Sequence, residues 1–392
     1  MSVLLLGVGV LVAAFVGYNI GGSSTGVAFG PAVGSKVVTK LGAAALMSVF
    51  AVVGGWTVGR NVIHTMGGDI VPSAEFTLAA SVAVLFFVGV ALLISNRFGV
   101  PASTSMTAVG SIAGLGAATG TLQMATMGRI VSAWVVAPVV AFWVCAVVGR
   151  YAYPYMDAVF RLDAADEPLF TWAEAGRLAY PTGRNPHATR RQFVASALVV
   201  AIGCYMAFSA GASNAANAVA PLVGGGYLGA SVGIVLAGAA IAAGAFTIAR
   251  RTLDTVGNGL TDLPLLAALV VEVVSASLIT FLSYLGIPAS LAVSATMCIV
   301  GLGWGRATRT VRTADALSGE GEATVSVNAL AAGRVDDPHD VPGIGEEDPA
   351  DLTAADLFDP AAVGRVAILW VLTPSVAAAA SFALFSVVPF VA

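Results

Sequence analysis

Charged side chains are scarce in this sequence of 392 residues. Aspartate, glutamate, lysine and arginine make up 10% of the chain, whereas 58% of the residues are hydrophobic and the mean hydropathy is +0.89. A soluble domain carries about 25% charged residues. The deficit excludes an ordinary globular protein and a nucleic-acid partner, so we interpret the chain as an integral protein of the lipid bilayer.

Cysteine and histidine are also rare, with three of each. Each cysteine stands alone in an apolar run, which is typical of a small buried residue and lacks the spacing of a metal site or a disulfide. The histidines are scattered along the chain, and none is paired with a nucleophile. We therefore expect no metal, no cofactor and no catalytic site, which argues against an enzyme.

The few charges are concentrated in two polar segments, with ten in 153–191 and seventeen in 306–365. Within 315–359, twelve acidic residues accompany a single arginine, and no apolar period is visible. We predict that 315–359 is mobile or disordered. A segment that binds a partner through its acidic charge is the alternative.

Long apolar runs occupy the rest of the chain. A helix needs about 20 apolar residues to cross a bilayer. The candidate spans are 2–20, 41–59, 75–95, 130–150, 192–210, 228–249, 263–285 and 366–390. The first span lacks a basic segment before it, so we interpret it as a retained helix rather than a cleaved signal.

Four further apolar stretches are rich in glycine, serine and proline. They are 21–35, 100–119, 211–226 and 287–304. Irregular backbone at membrane depth is tolerated only where it is buried in protein or lines a cavity. We therefore predict that these stretches form discontinuous or re-entrant helices.

Two of these stretches are copies of one motif. Gly21, Pro31 and Gly34 recur 190 positions later as Gly211, Pro221 and Gly224. A second pair, 99–103 and 286–290, recurs at an offset of 187. Paired interruptions in two halves are typical of a secondary transporter built from repeats. The sequence thus predicts an all-α polytopic membrane protein with two homologous, inverted repeats.

The predicted repeats and loops divide the chain into five segments. They are a first repeat 1–150, a central polar loop 151–191, a second repeat 192–305, an acidic loop 306–364 and a C-terminal transmembrane helix 365–392. Arginines flank the central loop. Because cytoplasmic loops carry an excess of basic residues, this loop is predicted to lie in the cytoplasm. The sequence leaves the orientation of the two halves open.

Hydroxyl and amide groups accompany the motifs. They belong to Ser23, Ser24 and Thr25 in the first copy, to Ser213, Asn214 and Asn217 in the second, and to Ser103, Thr104, Ser105 and Ser290 in the turns. Helices that end near the midplane add unpaired backbone N–H groups and partial positive charge. This set of donors favours binding of an oxyanion. The alternative is that the small residues only pack helices together.

The repeated motif resembles the inorganic phosphate transporter (PiT) family, whose signature Gly-Ala-Asn-Asp-x-x-Asn-Ala occurs once per half and precedes a Pro-x-Ser-Thr-Thr turn. The matching segments are 21–28, 211–218, 101–105 and 288–290. The resemblance covers nearly the whole chain outside the two polar loops. It implies a membrane transporter, and also a homodimer.

Two departures from the signature bear on the substrate. Ser24 and Asn214 stand where the family has aspartate, and Met106 stands where a histidine is usual. A carboxylate can accept the proton of hydrogen phosphate, whereas it would repel sulfate, which has no proton to donate at pH 7. Loss of both carboxylates therefore favours sulfate or a related tetrahedral oxyanion. The segments 19–23, 207–211, 214–223 and 250–255 are similar to the sulfate permease (CysP-like) branch of the family.

We therefore expect a secondary transporter that imports sulfate across the plasma membrane, driven by a cation gradient. A phosphate symporter and a passive anion channel are the alternatives. Glu272 lies midway along a predicted span, where an ionisable residue is costly and usually functional. It is either a coupling group or a protonated residue that joins two helices. Oxygens around Asn19 would suit sodium, so the sequence does not decide whether the coupling cation is Na⁺ or H⁺.

Overall fold

The chain folds almost entirely into helices. The structure, a computed structural model, describes residues 2–98, 103–160, 170–175, 178–184, 189–249, 263–310, 330, 338–346 and 360–388. Parts of three predicted features lie outside these residues. They are the start of the first Pro-Ala-Ser turn, the segment 250–262 that follows the second copy of the motif, and most of the acidic loop.

The first half of the chain contains seven α-helices. They are α1 (Ser2–Gly34), α2 (Lys40–Thr57), α3 (Gly59–His64), α4 (Leu78–Phe98), α5 (Thr104–Thr119), α6 (Met124–Val147) and α7 (Tyr153–Phe160). A π-helical turn, Thr65–Asp69, continues α3, and a second one, Val148–Ala152, joins α6 to α7. A short 3₁₀ turn, Ser73–Glu75, precedes α4.

In the second half, the described residues form five further α-helices after a small hairpin in the central polar loop. The antiparallel strands β1 (Phe170–Ala175) and β2 (Leu178–Arg184) form the hairpin. The helices are α8 (Arg190–Gly224), α9 (Ala230–Thr247), α10 (Leu265–Tyr284), α11 (Leu291–Ala307) and α12 (Pro360–Val387). Two 3₁₀ turns, Thr308–Thr310 and Pro338–Asp340, lie between α11 and α12.

Seven helical segments among the described residues are long and apolar enough to cross a membrane. They are α1, α2, α6 together with α7, α8, α9, α10 and α12. The apolar part of α4 is shorter. The prediction of a helical, multi-pass membrane protein is confirmed.

The structure differs from the prediction on where helices break. Both copies of the glycine-rich motif lie inside continuous helices, because α1 runs from Ser2 to Gly34 and α8 from Arg190 to Gly224. The expectation of a broken helix at 21–35 and 211–226 was therefore wrong. Pro31 and Pro221 lie only three residues before the ends of α1 and α8, so neither proline interrupts the middle of its helix.

Helices do begin directly after the serine of each Pro-Ala-Ser turn. After the first turn the chain enters α5, which has 16 residues, and after the second it enters α11, which has 17. Both helices are shorter than a full span, and both begin at a buried serine. Residues 104–119 and 291–304 thus form separate helices that start inside the protein.

The glycines of the motif allow close packing between helices. A methyl group on Gly211 would lie 2.0 Å from the Ala51 carbonyl oxygen in α2, and one on Gly21 would lie 2.0 Å from the Ile241 carbonyl oxygen in α9. The two contacts correspond at the same 190-residue offset. Each motif helix thus packs on the second helix of the other half. Such a reciprocal arrangement is what two-fold related repeats produce.

A second pair of corresponding contacts involves α6 and α12. Glycines of α5 face carbonyl groups of α12, with Gly114 against Ala378, whereas glycines of α11 face those of α6, with Gly301 against Phe142. The contact between α5 and α12 therefore corresponds to the contact between α11 and α6. By these contacts α12 is the counterpart of α6 among the described helices. The division of the chain at 150, 192 and 305 stays a prediction.

Part of the acidic loop is packed against the helical body. The guanidinium group of Arg309 donates to the Pro342 carbonyl oxygen at 2.6 Å, and the Gly345 amide donates to the Arg309 carbonyl oxygen at 2.7 Å. The Tyr153 hydroxyl donates to the carbonyl oxygen of Leu330, a residue only 2% exposed. Buried tyrosine and arginine groups thus bind the backbone of Leu330 and of 338–346, while mobility of the acidic loop stays a prediction.

Candidate functional site

The N-termini of α5 and α11 lie within the protein. Ser103 caps α5 and is fully buried, and its hydroxyl accepts from the Met106 amide. Ser290 caps α11 at 8% exposure, and its hydroxyl accepts from the Val293 amide. The first N–H groups of a helix carry partial positive charge. Two buried helix ends therefore provide partial positive charge without a lysine or an arginine.

Ser213 of α8 joins these two helix ends. Its hydroxyl donates to the Ala289 carbonyl oxygen, just before α11, at 2.8 Å. Its oxygen is 3.1 Å from the hydroxyl oxygen of Ser105, in the first turn of α5. The second copy of the motif and both Pro-Ala-Ser turns thus meet at one residue.

Two asparagines complete this group. The Asn217 amide donates to the Ser105 hydroxyl at 3.1 Å and to the Asn214 side-chain oxygen at 3.0 Å. Ser105, Ser213, Asn214 and Asn217 form a cluster that we call the serine–asparagine cluster. All four residues are at most 8% exposed. The cluster brings together four of the ten predicted substrate-binding residues.

The donor of each hydrogen bond in the cluster can be assigned. Ser213 has one hydroxyl hydrogen, which it gives to the Ala289 carbonyl, so Ser105 must be the donor in the bond between the two serines. The Asn217 amide in turn donates to Ser105. The Asn217 side-chain oxygen is buried without a hydrogen-bond partner. A ligand would therefore find this acceptor, the Asn214 amide group and the nearby helix ends.

The first copy of the motif is used differently. The hydroxyl of Ser23 donates within α1 to the carbonyl oxygens of Asn19 and Ile20, at 3.2 and 3.1 Å, and that of Thr25 donates to Gly21 at 2.7 Å. These local bonds consume the donors that the sequence assigned to a ligand. No hydrogen bond links this copy to the serine–asparagine cluster among the described residues. The two copies of the motif thus form different hydrogen bonds, and substrate binding by Ser23, Ser24 and Thr25 stays a prediction.

The counterpart of Asn217 in the first copy explains this asymmetry. That position is Val27, which has no amide to extend a hydrogen-bond network. Ser24 and Thr104 are partly exposed and form no hydrogen bond among the described residues. Asn19 is buried in α1, and its amide donates to the Phe15 carbonyl oxygen at 2.9 Å.

Glu272 is buried in α10, which packs against α8. Its side chain is 4% exposed, and one carboxyl oxygen has no partner within the described part of the chain. Ser209 of α8 donates to the Ala276 carbonyl oxygen of α10 at 3.0 Å. Since Ser209 is one turn before Ser213, α10 approaches α8 close to the cluster. Among the described residues this carboxyl oxygen does not link α10 to another helix, and both predicted roles of Glu272, as a coupling group or as a protonated residue between helices, stay predictions.

Ser209 is a buried polar residue near the site that the sequence interpretation did not include. It lies four residues before Ser213, and Asn217 lies four residues after Ser213, so the three share one side of α8. That spacing was visible in the sequence. Ser209 lies outside the family signature, which directed attention to 211–218.

The chain was compared with known proteins. A family model described as "Phosphate transporter family" matches residues 20–381. "Sulfate permease CysP" of Bacillus subtilis (strain 168) is 28% identical over 295 residues, which cover 75% of this chain and 76% of that protein. "Inorganic phosphate transporter 2-1, chloroplastic" of Arabidopsis thaliana is 24% identical over 384 residues, which cover 76% of this chain and 65% of that protein.

A solved structure shares the fold. It is titled "The sodium-dependent phosphate transporter", and it superposes with a TM-score of 0.68 at 17% sequence identity, covering 98% of both chains. The family model spans most of the chain, from α1 to α12. The chain therefore belongs to the phosphate transporter family.

Proposed function

We propose that this protein is a secondary active transporter that imports sulfate across the plasma membrane, coupled to a cation gradient. The observation that supports it best is the convergence of two buried helix N-termini on Ser213, beside Asn214 rather than an acidic residue. Helix ends and neutral donors favour an anion. A carboxylate at this place would oppose a dianion without a proton. One relative of the chain is named a sulfate permease.

Import of phosphate is the second candidate, because the family and several relatives are named for phosphate. The two candidates make different predictions for the same cluster. Hydrogen phosphate would offer a proton, and the buried Asn217 oxygen could accept it. Sulfate offers none and would use the Asn214 amide group and the helix ends instead.

Uptake of radiolabelled sulfate tests the proposal in cells that lack their own sulfate permease. We expect accumulation against the sulfate gradient, and we expect a large excess of phosphate to slow entry by less than about twofold if neutral donors set the selectivity. Empty-vector cells are the control, and immunodetection verifies the protein in the membrane. Membrane-inserted protein without uptake above the control contradicts transport of sulfate. Equilibration without accumulation indicates a passive channel.

Replacement of Ser213 by alanine tests the role of the cluster. The Ala289 carbonyl would lose its donor and Ser105 would lose its acceptor, and a buried group without a partner costs about 1–3 kcal/mol. We expect sulfate uptake at low substrate concentration to fall roughly tenfold to hundredfold. The initial rate of uptake, normalised to protein in the membrane, measures this.

Ser48→Ala is the matched control, since the Ser48 hydroxyl donates only to Ala44 within its own helix, at 2.6 Å. Its uptake should stay within about twofold of the unmodified protein, as for a surface substitution away from a site. Equal effects of Ser213→Ala and Ser48→Ala would show that the cluster does not bind the substrate.

The coupling cation is proposed to act at Glu272 or near Asn19. Glu272 would exchange protons, whereas oxygens of the Asn19 region would coordinate sodium. Varying external sodium at constant pH while sulfate uptake is followed separates the two ions. A rate that ignores sodium but rises with an inward proton gradient assigns the coupling to Glu272.

A further inference from the structure

Three buried oxygens on α10 form no hydrogen bond with the described residues. They are a carboxyl oxygen of Glu272 and the hydroxyl oxygens of Thr280 and Ser283. An unsatisfied buried polar group costs about 1–3 kcal/mol. Native proteins usually satisfy such groups with ordered water. The three oxygens on α10 are therefore candidates for hydrogen bonds to internal water.

The three side chains lie on one side of the helix. At 3.6 residues per turn, Ser283 is displaced from Glu272 by only about 20° around the axis, and Thr280 lies within about 80° of both. Along the axis, Thr280 is about 4.5 Å from Ser283 and about 12 Å from Glu272. A gap of two turns thus separates the hydroxyl pair from the carboxyl group.

Ser209 of α8 lies at this gap. Its hydroxyl donates to the Ala276 carbonyl oxygen, which is four residues after Glu272 and four before Thr280. A helical threonine commonly donates to the carbonyl four residues earlier, but Thr280 does not, and Ser209 donates there instead. The hydroxyl of Thr280 therefore remains available, and the Ser209 oxygen can still accept from water.

The Ser283 end of α10 lies next to an exposed polar surface. Asn61, an exposed residue, donates to the Tyr284 carbonyl oxygen at 2.8 Å. One turn further along the chain, His64 pairs with Asp69 at 3.3 Å, and their side chains are 79% and 39% exposed. Exposed ionisable groups are costly in lipid, so His64 and Asp69 favour an aqueous surface near this end of α10.

We propose that Ser283, Thr280 and Ser209 line a hydrated passage that carries protons between the aqueous surface at Asn61 and the carboxyl group of Glu272. The inference rests on the proposed transport function, in which Glu272 couples the flow of a cation to that of the anion. A proton leaves the carboxyl group to a water molecule in the passage and returns by the same route. Because Ser209 and Ser213 are one turn apart, this exchange takes place next to the serine–asparagine cluster.

In the described part of the chain, no other titratable group bonds to the carboxyl group of Glu272. The helices packed against α10 are α1, α3, α6, α7, α8 and α11. No ionisable side chain on them bonds to the Glu272 carboxyl group. Tyr205 of α8, for example, donates to Ser277 at 3.2 Å instead.

Cysteine accessibility tests the passage in the full-length protein in lipid vesicles. Ser283→Cys and Thr280→Cys are treated with a small, charged, water-soluble methanethiosulfonate reagent. Ser275→Cys is the matched control, since the Ser275 hydroxyl is satisfied by the Val271 carbonyl at 2.6 Å. The unmodified protein gives the background from its three buried native cysteines.

We expect Ser283→Cys to react at least tenfold faster than Ser275→Cys, and Thr280→Cys to react at an intermediate rate. Reagent applied to the side that carries Asn61 should be effective, and reagent confined to the other side should not. Reaction of both variants no faster than the control would overturn the passage.

Infrared spectroscopy gives a second readout. The carboxyl band of Glu272, identified by its loss in Glu272→Gln, should respond to a pH jump on the Asn61 side. We expect the combined Thr280→Val and Ser283→Ala variant to slow this response at least tenfold, whereas Ser275→Ala should not. An unchanged response contradicts the passage. A normal response in protein that moves no sulfate would instead contradict the transport function.

Discussion

Replacement of Asn214 by aspartate is expected to lower sulfate uptake by at least about a hundredfold. Two unit charges 4 Å apart repel by about 4 kcal/mol at an effective dielectric constant of 20, and each 1.4 kcal/mol is about tenfold in affinity. Asn214 is 8% exposed and its side-chain oxygen accepts from Asn217, so a carboxylate would sit within the cluster. Partial protonation of the new carboxylate would reduce the repulsion, so the expected loss of uptake is smaller than the full 4 kcal/mol would give.

The same substitution is expected to favour phosphate. Hydrogen phosphate can donate its proton to the new carboxylate, whereas sulfate cannot. Competition measures this change: excess phosphate should slow sulfate entry much more strongly in Asn214→Asp than in the unmodified protein. Direct uptake of radiolabelled phosphate should rise relative to that of sulfate.

Asn214→Ala is the control for loss of the amide alone. It removes one donor and one acceptor without adding charge, so a loss of about tenfold in sulfate uptake is expected. If the aspartate and alanine variants lose sulfate uptake equally and neither gains phosphate uptake, charge at this position does not select the anion.

The sequence predicted the membrane class and the doubled motif because both depend on local composition. Apolar runs must lie in helices within lipid, and the 190-residue offset was read directly from glycine and proline positions. The starts of α5 and α11 after the Pro-Ala-Ser serines were also predictable, since proline and a capping serine together favour a helix start.

The role of the motif glycines could not be predicted from the sequence. Glycine is used both for turns and for close contact between helices, and only the facing carbonyl decides between them. Gly211 faces the carbonyl of Ala51, which is 160 positions away in the chain. The meeting of α8 with the start of α11 depended likewise on a tertiary contact, the bond from Ser213 to Ala289.

The docked part of the acidic loop was missed for a similar reason. Composition predicts how readily a segment forms its own core, but it does not show what another part of the protein offers to that segment. Arg309 is 1% exposed, and its guanidinium group donates to the backbone carbonyl oxygen of Pro342. Acidic composition therefore gave no signal for this contact.

Replacement of Gly211 by alanine is expected to cause a large loss of folded protein. The added methyl carbon would lie 2.0 Å from the Ala51 carbonyl oxygen, whereas real contacts of this kind are almost never under 3.0 Å. Both partners are backbone atoms or fixed to them, so neither can rotate away. The helices would have to separate, and overpacking of this kind costs about 1–3 kcal/mol or more. A lower Tm and a smaller monodisperse fraction in detergent measure the loss.

Gly128→Ala is the matched control in α6, because nothing lies within 4 Å of the added methyl group. It should leave stability unchanged or raise it by up to about 1 kcal/mol, since alanine favours a helix. Gly21→Ala should behave like Gly211→Ala, because its methyl group meets the Ile241 carbonyl oxygen at the same distance of 2.0 Å. Equal Tm values for Gly211→Ala and Gly128→Ala would contradict the packing of α8 on α2. Gly211 lies two residues before Ser213, so any Gly211→Ala protein that does fold should still take up sulfate poorly, because α8 is displaced at the cluster itself.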